Sequence, residues 1–200
     1  MTKRLVVFVV LALFSAVGHG AAQDAAPSVE ITLIPGGSTV FTKNTDVSAP
    51  TFGSYQIGGA VAVNVNRVFG VEGEIGSSIG LAQDLDFGFS HDIRTPDMLT
   101  YSGNLVVSAP TGTSLVPYVT GGVGGLSLFS REELGVNDTE TLFATNVGGG
   151  VKWYAGRWGL RADYRFLAVP SRDEVSAFGF GPERRYGHRV YGAVTLNVGR

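Results

Sequence analysis

The chain has 200 residues, which is room for one domain, and it is apolar for a soluble protein, with 44% hydrophobic and 16% charged residues. Its formal net charge of −2 comes from mixed signs without a basic run, so nucleic-acid binding is not expected. The absence of cysteine excludes disulfides, thiolate metal sites and a lipid-modified cysteine.

The N-terminus has the pattern of a secretory signal peptide. A basic pair precedes an apolar run over residues 5–17, and small residues follow as far as Ala22. We predict cleavage after Ala22, which gives a signal peptide over residues 1–22 and a mature domain over residues 23–200; cleavage after Gly20 is the alternative that residue size also allows. A retained membrane anchor is the alternative, but the apolar run is short for a span of about 20 residues.

Eight segments of the mature chain have the composition and alternation of β-strands. They are approximately residues 29–41, 54–64, 68–77, 97–108, 115–128, 141–154, 157–169 and 186–198. Several have the roughly 9 to 11 residues that a tilted strand needs to cross a bilayer. No segment has the periodicity of an amphipathic helix, so we predict an all-β protein.

Short and long connections alternate between these segments. The short ones are residues 65–67, 109–114 and 155–156, and the long ones are about 42–53, 78–96, 129–140 and 170–185. Outer-membrane barrels have short periplasmic turns and long extracellular loops. We therefore predict a transmembrane antiparallel up-and-down β-barrel of about eight strands over residues 23–200.

The segment NVGGGVKWYAGRWGLRADYRF, residues 146–166, shows the alternation most clearly. A two-residue turn at residues 155–156 pairs Trp153 with Trp158. One face of this hairpin is then apolar and uncharged, while the other carries charged and very small residues, with long charged side chains opposite glycines. This is the pattern of a strand pair with lipid on one side and a polar lumen on the other.

Charged residues share the polar side with many small residues, which favours a crowded interior over a water-facing surface. Buried charge is costly unless it is paired, so we expect salt bridges that fill the lumen in preference to a gated ion path. The predicted lumen charges are Glu72, Glu74, Lys152, Arg161, Asp163, Arg165 and Arg189.

Aromatic residues fall near both ends of the predicted strands. Their amphipathic rings suit the two bilayer interfaces, with ordinary aromatic core packing as the alternative. The predicted interface aromatics are Phe69, Trp153, Tyr154 and Trp158 near the short turns, and Tyr101, Tyr164 and Phe166 toward the long connections.

Neither a metal site nor a catalytic site is predicted, and no cofactor is implied. The second long connection contains Asp84, Asp86, His91 and Asp92, but their spacing does not match a calcium loop. Serine and histidine occur together as Ser90-His91, but adjacent strand residues point to opposite faces, and catalysis needs the base within hydrogen-bond reach.

Three segments resemble the fifth to seventh strands of the small eight-stranded outer-membrane barrels of the OmpA-like and opacity-protein type. They are PYVTGGVGGLSL, NVGGGVKWY and WGLRADYRF, within residues 117–166. The resemblance implies the outer membrane of a Gram-negative bacterium, contact with outer-membrane lipid and lipopolysaccharide, and assembly by the outer-membrane insertion machinery. Such barrels commonly end in an aromatic residue, whereas this chain ends in Val198-Gly199-Arg200.

These patterns predict a non-enzymatic outer-membrane barrel that presents surface loops on a lipid-embedded frame, with at most a minor porin-like permeability. The partner of those loops is not identified. Alternation does not say which side lies inside, so a secreted lipocalin-like barrel with an apolar ligand in its centre is the alternative. A lipid-modifying outer-membrane enzyme is the third interpretation.

Overall fold

The computed structural model describes residues 28–43, 52–80, 82–86, 90–94, 98–129, 140–170 and 185–198. The predicted signal peptide over residues 1–22 lies outside this part of the chain, so the boundary at Ala22 stays a prediction. Every regular element of the described residues is a strand. No helix among them is long and apolar enough to cross a membrane.

Ten strands follow one another along the chain. They are β1 (Ser28–Lys43), β2 (Phe52–Asn64), β3 (Phe69–Gly80), β4 (Ala82–Asp86), β5 (Ser90–Arg94), β6 (Met98–Ser108), β7 (Leu115–Leu128), β8 (Glu140–Ala155), β9 (Trp158–Val169) and β10 (Arg185–Val198). Eight of them close an antiparallel barrel in the order β1-β10-β9-β8-β7-β6-β3-β2. The predicted eight-stranded all-β barrel is confirmed.

The strands β4 and β5 form a separate two-stranded hairpin within the second predicted loop. The sequence pattern predicted a long connection over residues 78–96 and did not predict this hairpin. Asp84 pairs with Asp92 in this hairpin. Aspartate is rare in strands, so composition concealed the hairpin.

The two ends of the barrel differ in their connections. The turns β2–β3, β6–β7 and β8–β9 lie at the same end as the start of β1 and the finish of β10. We call this the short-turn end, and the opposite end the long-connection end. The alternation of short and long connections predicted from the sequence therefore separates the two ends of the barrel.

The turn between β8 and β9 differs from the prediction. Ala155 pairs with Trp158, and Trp153 pairs with Leu160, so Trp153 and Trp158 are not partners. The two turn residues are Gly156 and Arg157, and Gly156 has a φ of 65°, as the first position of a type II′ turn requires. The error is two residues, the period of side-chain alternation, so the faces are unchanged.

A bulge interrupts β1 at its proline. Ile34 and Pro35 together stand opposite Ala193 of β10, and the pairing with β2 shifts in the same region. Proline lacks an N–H group for the ladder and is tolerated at such a bulge. The extra residue moves the inward positions of β1 from even numbers, such as Glu30, to odd numbers, such as Thr39.

Apolar side chains cover the outer wall of the barrel. Leu33, Leu105 and Leu160 are 63%, 67% and 55% exposed, whereas Gln56 and Arg165 inside the barrel are both 0% exposed. A lipocalin-like barrel would have the reverse arrangement, with apolar side chains lining the centre and polar ones in water. That alternative is therefore wrong, because this outer wall needs an apolar surrounding.

The interior is polar in its middle and at the short-turn end, but one wall is apolar at the long-connection end. That wall is a buried cluster at the ends of β6 to β9, formed by Met98, Leu126, Leu128, Leu142, Ala144 and Val169. We call it the apolar cap. The prediction of a polar lumen was wrong for this layer, since it followed alternation through the middle of the strands.

Candidate functional site

The centre of the lumen holds a cluster of ion pairs built from three strands. Alternate residues of a strand share a face, so β3 and β9 each direct a charged series into the barrel. We define the lumen ion cluster as Glu72 and Glu74 of β3, Arg161, Asp163 and Arg165 of β9, and Arg189 of β10. All six side chains are buried.

Arg161 binds two carboxylates at once. Its Nη1 lies 2.5 Å from Glu72 Oε2, and its Nη2 lies 2.7 Å from Asp163 Oδ2. Its Nε donates to the Tyr118 hydroxyl over 2.7 Å, and this hydroxyl donates to Asp163 Oδ2. Each of the three guanidinium nitrogens therefore has a hydrogen-bond partner, as a buried cation requires.

Arg165 lies between the carboxylates of β3 and β9. Its Nη2 is 2.6 Å from Glu72 Oε1 and 3.1 Å from Glu74 Oε2, and its Nε is 3.1 Å from Asp163 Oδ1. A rigid guanidinium fork can hold several carboxylates in one plane, which an ammonium group cannot do. Arg165 thus ties β9 to β3 across the barrel.

Arg189 forms the layer of the ion cluster nearest the apolar cap. Its Nη2 pairs with Glu74 Oε1, and the Tyr191 hydroxyl donates to Glu74 Oε2 over 2.8 Å. The guanidinium carbon of Arg189 lies 5.5 Å from the centre of the Tyr191 ring, a distance at which a ring attracts a cation. The tyrosine thus contributes both a donor and a π face.

A second ion pair closes the lumen toward the short-turn end. Lys152 Nζ lies 2.5 Å from Glu30 Oε2, and the Tyr154 hydroxyl donates to Glu30 Oε1 over 2.6 Å. These three residues line a polar cavity of about 440 Å³ that opens at the short-turn end, with Asn64 and Asn197 among its walls.

The buried charges of the described residues balance. They are four acids, Glu30, Glu72, Glu74 and Asp163, and four bases, Lys152, Arg161, Arg165 and Arg189. Each belongs to at least one ion pair. The lumen is therefore filled by paired groups, which is the arrangement in which buried charge is tolerated.

All seven predicted lumen charges lie in the lumen, but three residues that bind them were not predicted. Glu30, Tyr118 and Tyr191 are inward-facing and buried. Alternation could have identified Glu30, because its neighbours Val29 and Ile31 both face outward. A tyrosine gave no such signal, since its ring fits either face of the barrel.

The interface prediction for Tyr154 was wrong. Its side chain is 8% exposed and lies inside the barrel, because Trp153 faces outward and adjacent residues of a strand point to opposite sides. The other predicted interface aromatics lie on the outer wall, with Phe166 half-exposed and the rest exposed: Phe69, Tyr101, Trp153, Trp158 and Tyr164.

Replacing Tyr154 by phenylalanine is expected to lower the free energy of unfolding by about 2 kcal/mol, the cost of a hydrogen bond lost from a buried carboxylate. Urea unfolding in lipid vesicles measures the change. Tyr55→Phe is the matched control, because its hydroxyl donates to the Pro35 carbonyl on the exposed wall, and less than about 1 kcal/mol is expected there. Equal losses would contradict the buried role of Tyr154.

The described residues contain no group of three histidines, aspartates or glutamates free to hold a metal ion. The side chains of Asp84, Asp86, His91 and Asp92 lie outside the described part of the chain. His188 is described and faces outward, where its Nδ1 lies 2.8 Å from the Tyr164 hydroxyl. That the protein has neither a metal site nor a catalytic residue therefore stays a prediction.

The family described as outer membrane protein beta-barrel domain matches residues 7–184 of the chain. Comparison with curated proteins gave no match.

Three crystal structures of small outer-membrane proteins are similar in fold. Neisserial surface protein A is 10% identical with a TM-score of 0.57, over 86% of this chain and 97% of that one. Ail of Yersinia pestis, in complex with the heparin analogue sucrose octasulfate, is 12% identical with a TM-score of 0.52, over 87% and 100%. OprG of Pseudomonas aeruginosa is 11% identical with a TM-score of 0.51, over 90% and 99%. At these identities the likeness concerns the fold.

Proposed function

This chain belongs to the outer membrane protein β-barrel domain family and is located in the cell outer membrane, and from that premise we propose that it is a non-enzymatic scaffold with a closed lumen. Its function is to present the long connections at the cell surface on a rigid, lipid-embedded frame. The observation that carries this proposal is the charge-balanced, buried ion cluster that fills the barrel.

Three layers support a closed lumen. The Glu30–Lys152 pair closes the lumen at the inner side of the cavity of the short-turn end. The lumen ion cluster fills the middle of the barrel, and the apolar cap covers one wall at the long-connection end. An ion path needs charged groups that border water. Here the groups that could line such a path are paired and buried, so passage would require breaking several salt bridges at once.

The apolar outer wall supports outer-membrane lipid and lipopolysaccharide as partners of the barrel. Its apolar side chains fit outer-membrane lipid, and the long-connection end then meets lipopolysaccharide in the outer leaflet. The outer-membrane insertion machinery is the expected assembly partner. The side chains of the surface loops would determine any further partner, and the described residues indicate none.

Planar-bilayer recording tests the closed lumen. We expect no large stable openings from the wild-type protein, and we expect Arg161→Ala to destabilise the barrel more than it raises conductance, because the variant leaves Glu72 and Asp163 without one of their cations. Arg157→Ala, in the exposed β8–β9 turn, is the matched control. Large stable openings of Arg161→Ala with unchanged melting would show that the cluster is a gate and contradict the proposal.

A second measurement tests the non-enzymatic part of the proposal. Purified, folded protein is incubated with lipid A, and the release or transfer of acyl chains is followed by mass spectrometry. We expect the lipid to be unchanged. Turnover of lipid A by the wild-type protein would contradict the proposal even if the lumen does not conduct.

A further inference from the structure

The polar cavity at the short-turn end is lined by buried groups whose hydrogen bonds are incomplete. Asn197 is 2% exposed, and its Oδ1 has no partner among the described residues. Lys152 is also 2% exposed, and the described residues bond its ammonium group once, to Glu30 Oε2 over 2.5 Å. Both side chains line the cavity of about 440 Å³. Buried polar groups without partners are costly, so they indicate a place where a polar molecule binds.

These two groups lie next to Glu30 at the floor of the cavity. Asn197 pairs with Glu30 in the ladder between β1 and β10. Of the three hydrogens of the Lys152 ammonium group, one is bonded to Glu30, and the Tyr118 ring lies 5.3 Å from the nitrogen, so at least one hydrogen is left for a ligand. The two oxygens of Glu30 already accept from Lys152 and Tyr154. The floor therefore offers one donor and one acceptor, and a hydroxyl group satisfies both.

The mouth of the cavity carries a cation that the floor does not balance. Arg67 lies in the exposed turn between β2 and β3 and forms no ion pair among the described residues. Glu30 and Lys152 cancel each other, so Arg67 gives the described lining a net charge of +1. A guanidinium group matches a carboxylate in geometry and charge. A phosphate monoester carries about 1.5 to 2 negative charges at pH 7, which is more than this site neutralises.

The remaining wall of the cavity favours a hydroxylated ligand over an apolar one. Sites for small molecules have volumes of about 300 to 1,000 Å³ and are mostly apolar. This cavity has such a volume, but hydroxyl and amide side chains line it, among them Ser28, Asn64, Asn66 and Ser108. An apolar ligand would cover these polar groups without bonding them, which is unfavourable.

The geometry points to a binding site for a small hydroxycarboxylate of the sugar-acid class. Its hydroxyl groups bond Lys152 and Asn197 at the floor, and its carboxylate faces Arg67 at the mouth. The Glu30–Lys152 pair closes the lumen beyond the floor, so a ligand that enters is held and does not pass through. In the orientation of the proposed function this site opens to the periplasm, on the side opposite to the surface loops. Binding itself depends neither on that orientation nor on the loops.

Calorimetric titration of D-gluconate into the folded full chain in detergent micelles tests this inference. D-Sorbitol supplies the hydroxyl groups without the charge, and butyrate supplies the carboxylate without the hydroxyl groups. The test variants are Arg67→Gln and Asn197→Leu. Arg157→Gln is the matched control, because Arg157 lies in the exposed β8–β9 turn at the same end of the barrel but does not line the cavity. Heat-modifiable gel mobility shows that each variant is folded.

D-Gluconate is expected to bind saturably, with a Kd of about 1 mM or lower, and D-sorbitol and butyrate are expected to bind at least about fivefold more weakly. Arg67→Gln and Asn197→Leu are each expected to weaken D-gluconate binding about fivefold or more, the scale of a hydrogen bond lost from a charged or buried group. Arg157→Gln is expected to stay within about twofold of wild type.

The absence of saturable D-gluconate binding would overturn the inference, because the cavity would then hold water only. Equal losses for Arg67→Gln and Arg157→Gln would also overturn it, since the anion would then respond to surface charge in general. Either result leaves the expected conductance and the expected inertness toward lipid A unchanged, so the proposed function and this inference fail independently.

Discussion

Replacing Arg165 by methionine is expected to lower the free energy of unfolding by about 3 to 5 kcal/mol. The arginine is 0% exposed and binds Glu72, Glu74 and Asp163 through ion pairs of 2.6 to 3.1 Å. Methionine keeps an unbranched apolar stem but lacks the guanidinium group and its positive charge. The lumen is then left with one more carboxylate than it has cations, in a region that water does not reach.

Urea unfolding and refolding in lipid vesicles, followed by tryptophan fluorescence, measures this loss. Arg157→Met is the matched control, because it makes the same chemical change at an exposed turn and is expected to alter stability by no more than about 0.5 kcal/mol. A similar small effect at both positions would mean that the interior charges are solvated and that the ion cluster does not hold the barrel together.

The second large effect is expected from Gly124→Ala in β7. A Cβ atom at this position would overlap the carbonyl oxygen of Tyr101 and lie 2.7 Å from Ser102 Cα on the neighbouring strand. Both atoms belong to the backbone, so no side chain can rotate to make room. We expect a loss of about 3 kcal/mol or more, since overpacking is most costly where the structure cannot relax.

Gly103→Ala is the control for this substitution. Gly103 lies on the adjacent strand β6, and a Cβ atom there would meet no atom within 4 Å. Its stability is expected to change by no more than about 0.5 kcal/mol. The yield of heat-modifiable, folded barrel in vesicles, followed by urea unfolding, compares the two variants. Equal yields and equal unfolding midpoints would contradict the close approach of β6 and β7.

Alternation predicted the faces of the barrel because a strand has only two of them. The pattern within a single strand places Val61 and Val63 on one face, and Glu72 and Glu74 share one face of the next strand. In the structure the two valines face outward and the two glutamates face inward. The short turns added the antiparallel order. The small residues that share the polar side with Arg165 indicated that this side lies inside, although they contained no information about the partner of Arg165.

Register was the part of the fold that alternation could not determine. A shift of two residues leaves every side chain on its face, so pairing Trp153 with Trp158 satisfied the pattern as well as the observed pairing with Leu160 does. The choice depends on the backbone of the turn, where Gly156 supplies the positive φ. A type II′ turn with glycine first was the signal that the sequence contained.

The partners in the ion cluster depend on the stagger of the whole barrel. Arg161 and Glu72 are separated by 89 residues in sequence, yet their side chains lie 2.5 Å apart. Their contact requires the register of each intervening strand pair to be correct, so a charge pattern alone predicts that acids and bases meet but not which ones. The same limit concealed Glu30 as the partner of Lys152.

The ion cluster and the outer wall are parts of one physical arrangement. An apolar outer wall can be stable only in lipid, and the polar groups displaced to the inside must then satisfy one another. Each of the four buried acids and four buried bases forms an ion pair, while the buried Arg189 Nε has no hydrogen-bond partner among the described residues. The interior therefore takes the place that an apolar core has in a soluble barrel, and it leaves the connections free to vary in length and chemistry.

Tryptophan quenching by brominated lipids tests this inside-out arrangement most directly. Trp153 and Trp158 are the two tryptophans of the chain, and both lie on the outer wall near the short turns, 48% and 60% exposed. The structure predicts strong quenching in vesicles whose lipids carry bromine near the headgroup, and weaker quenching when the bromine lies near the ends of the acyl chains. Fluorescence that neither lipid quenches would place these rings away from lipid and contradict the outward orientation of the apolar wall.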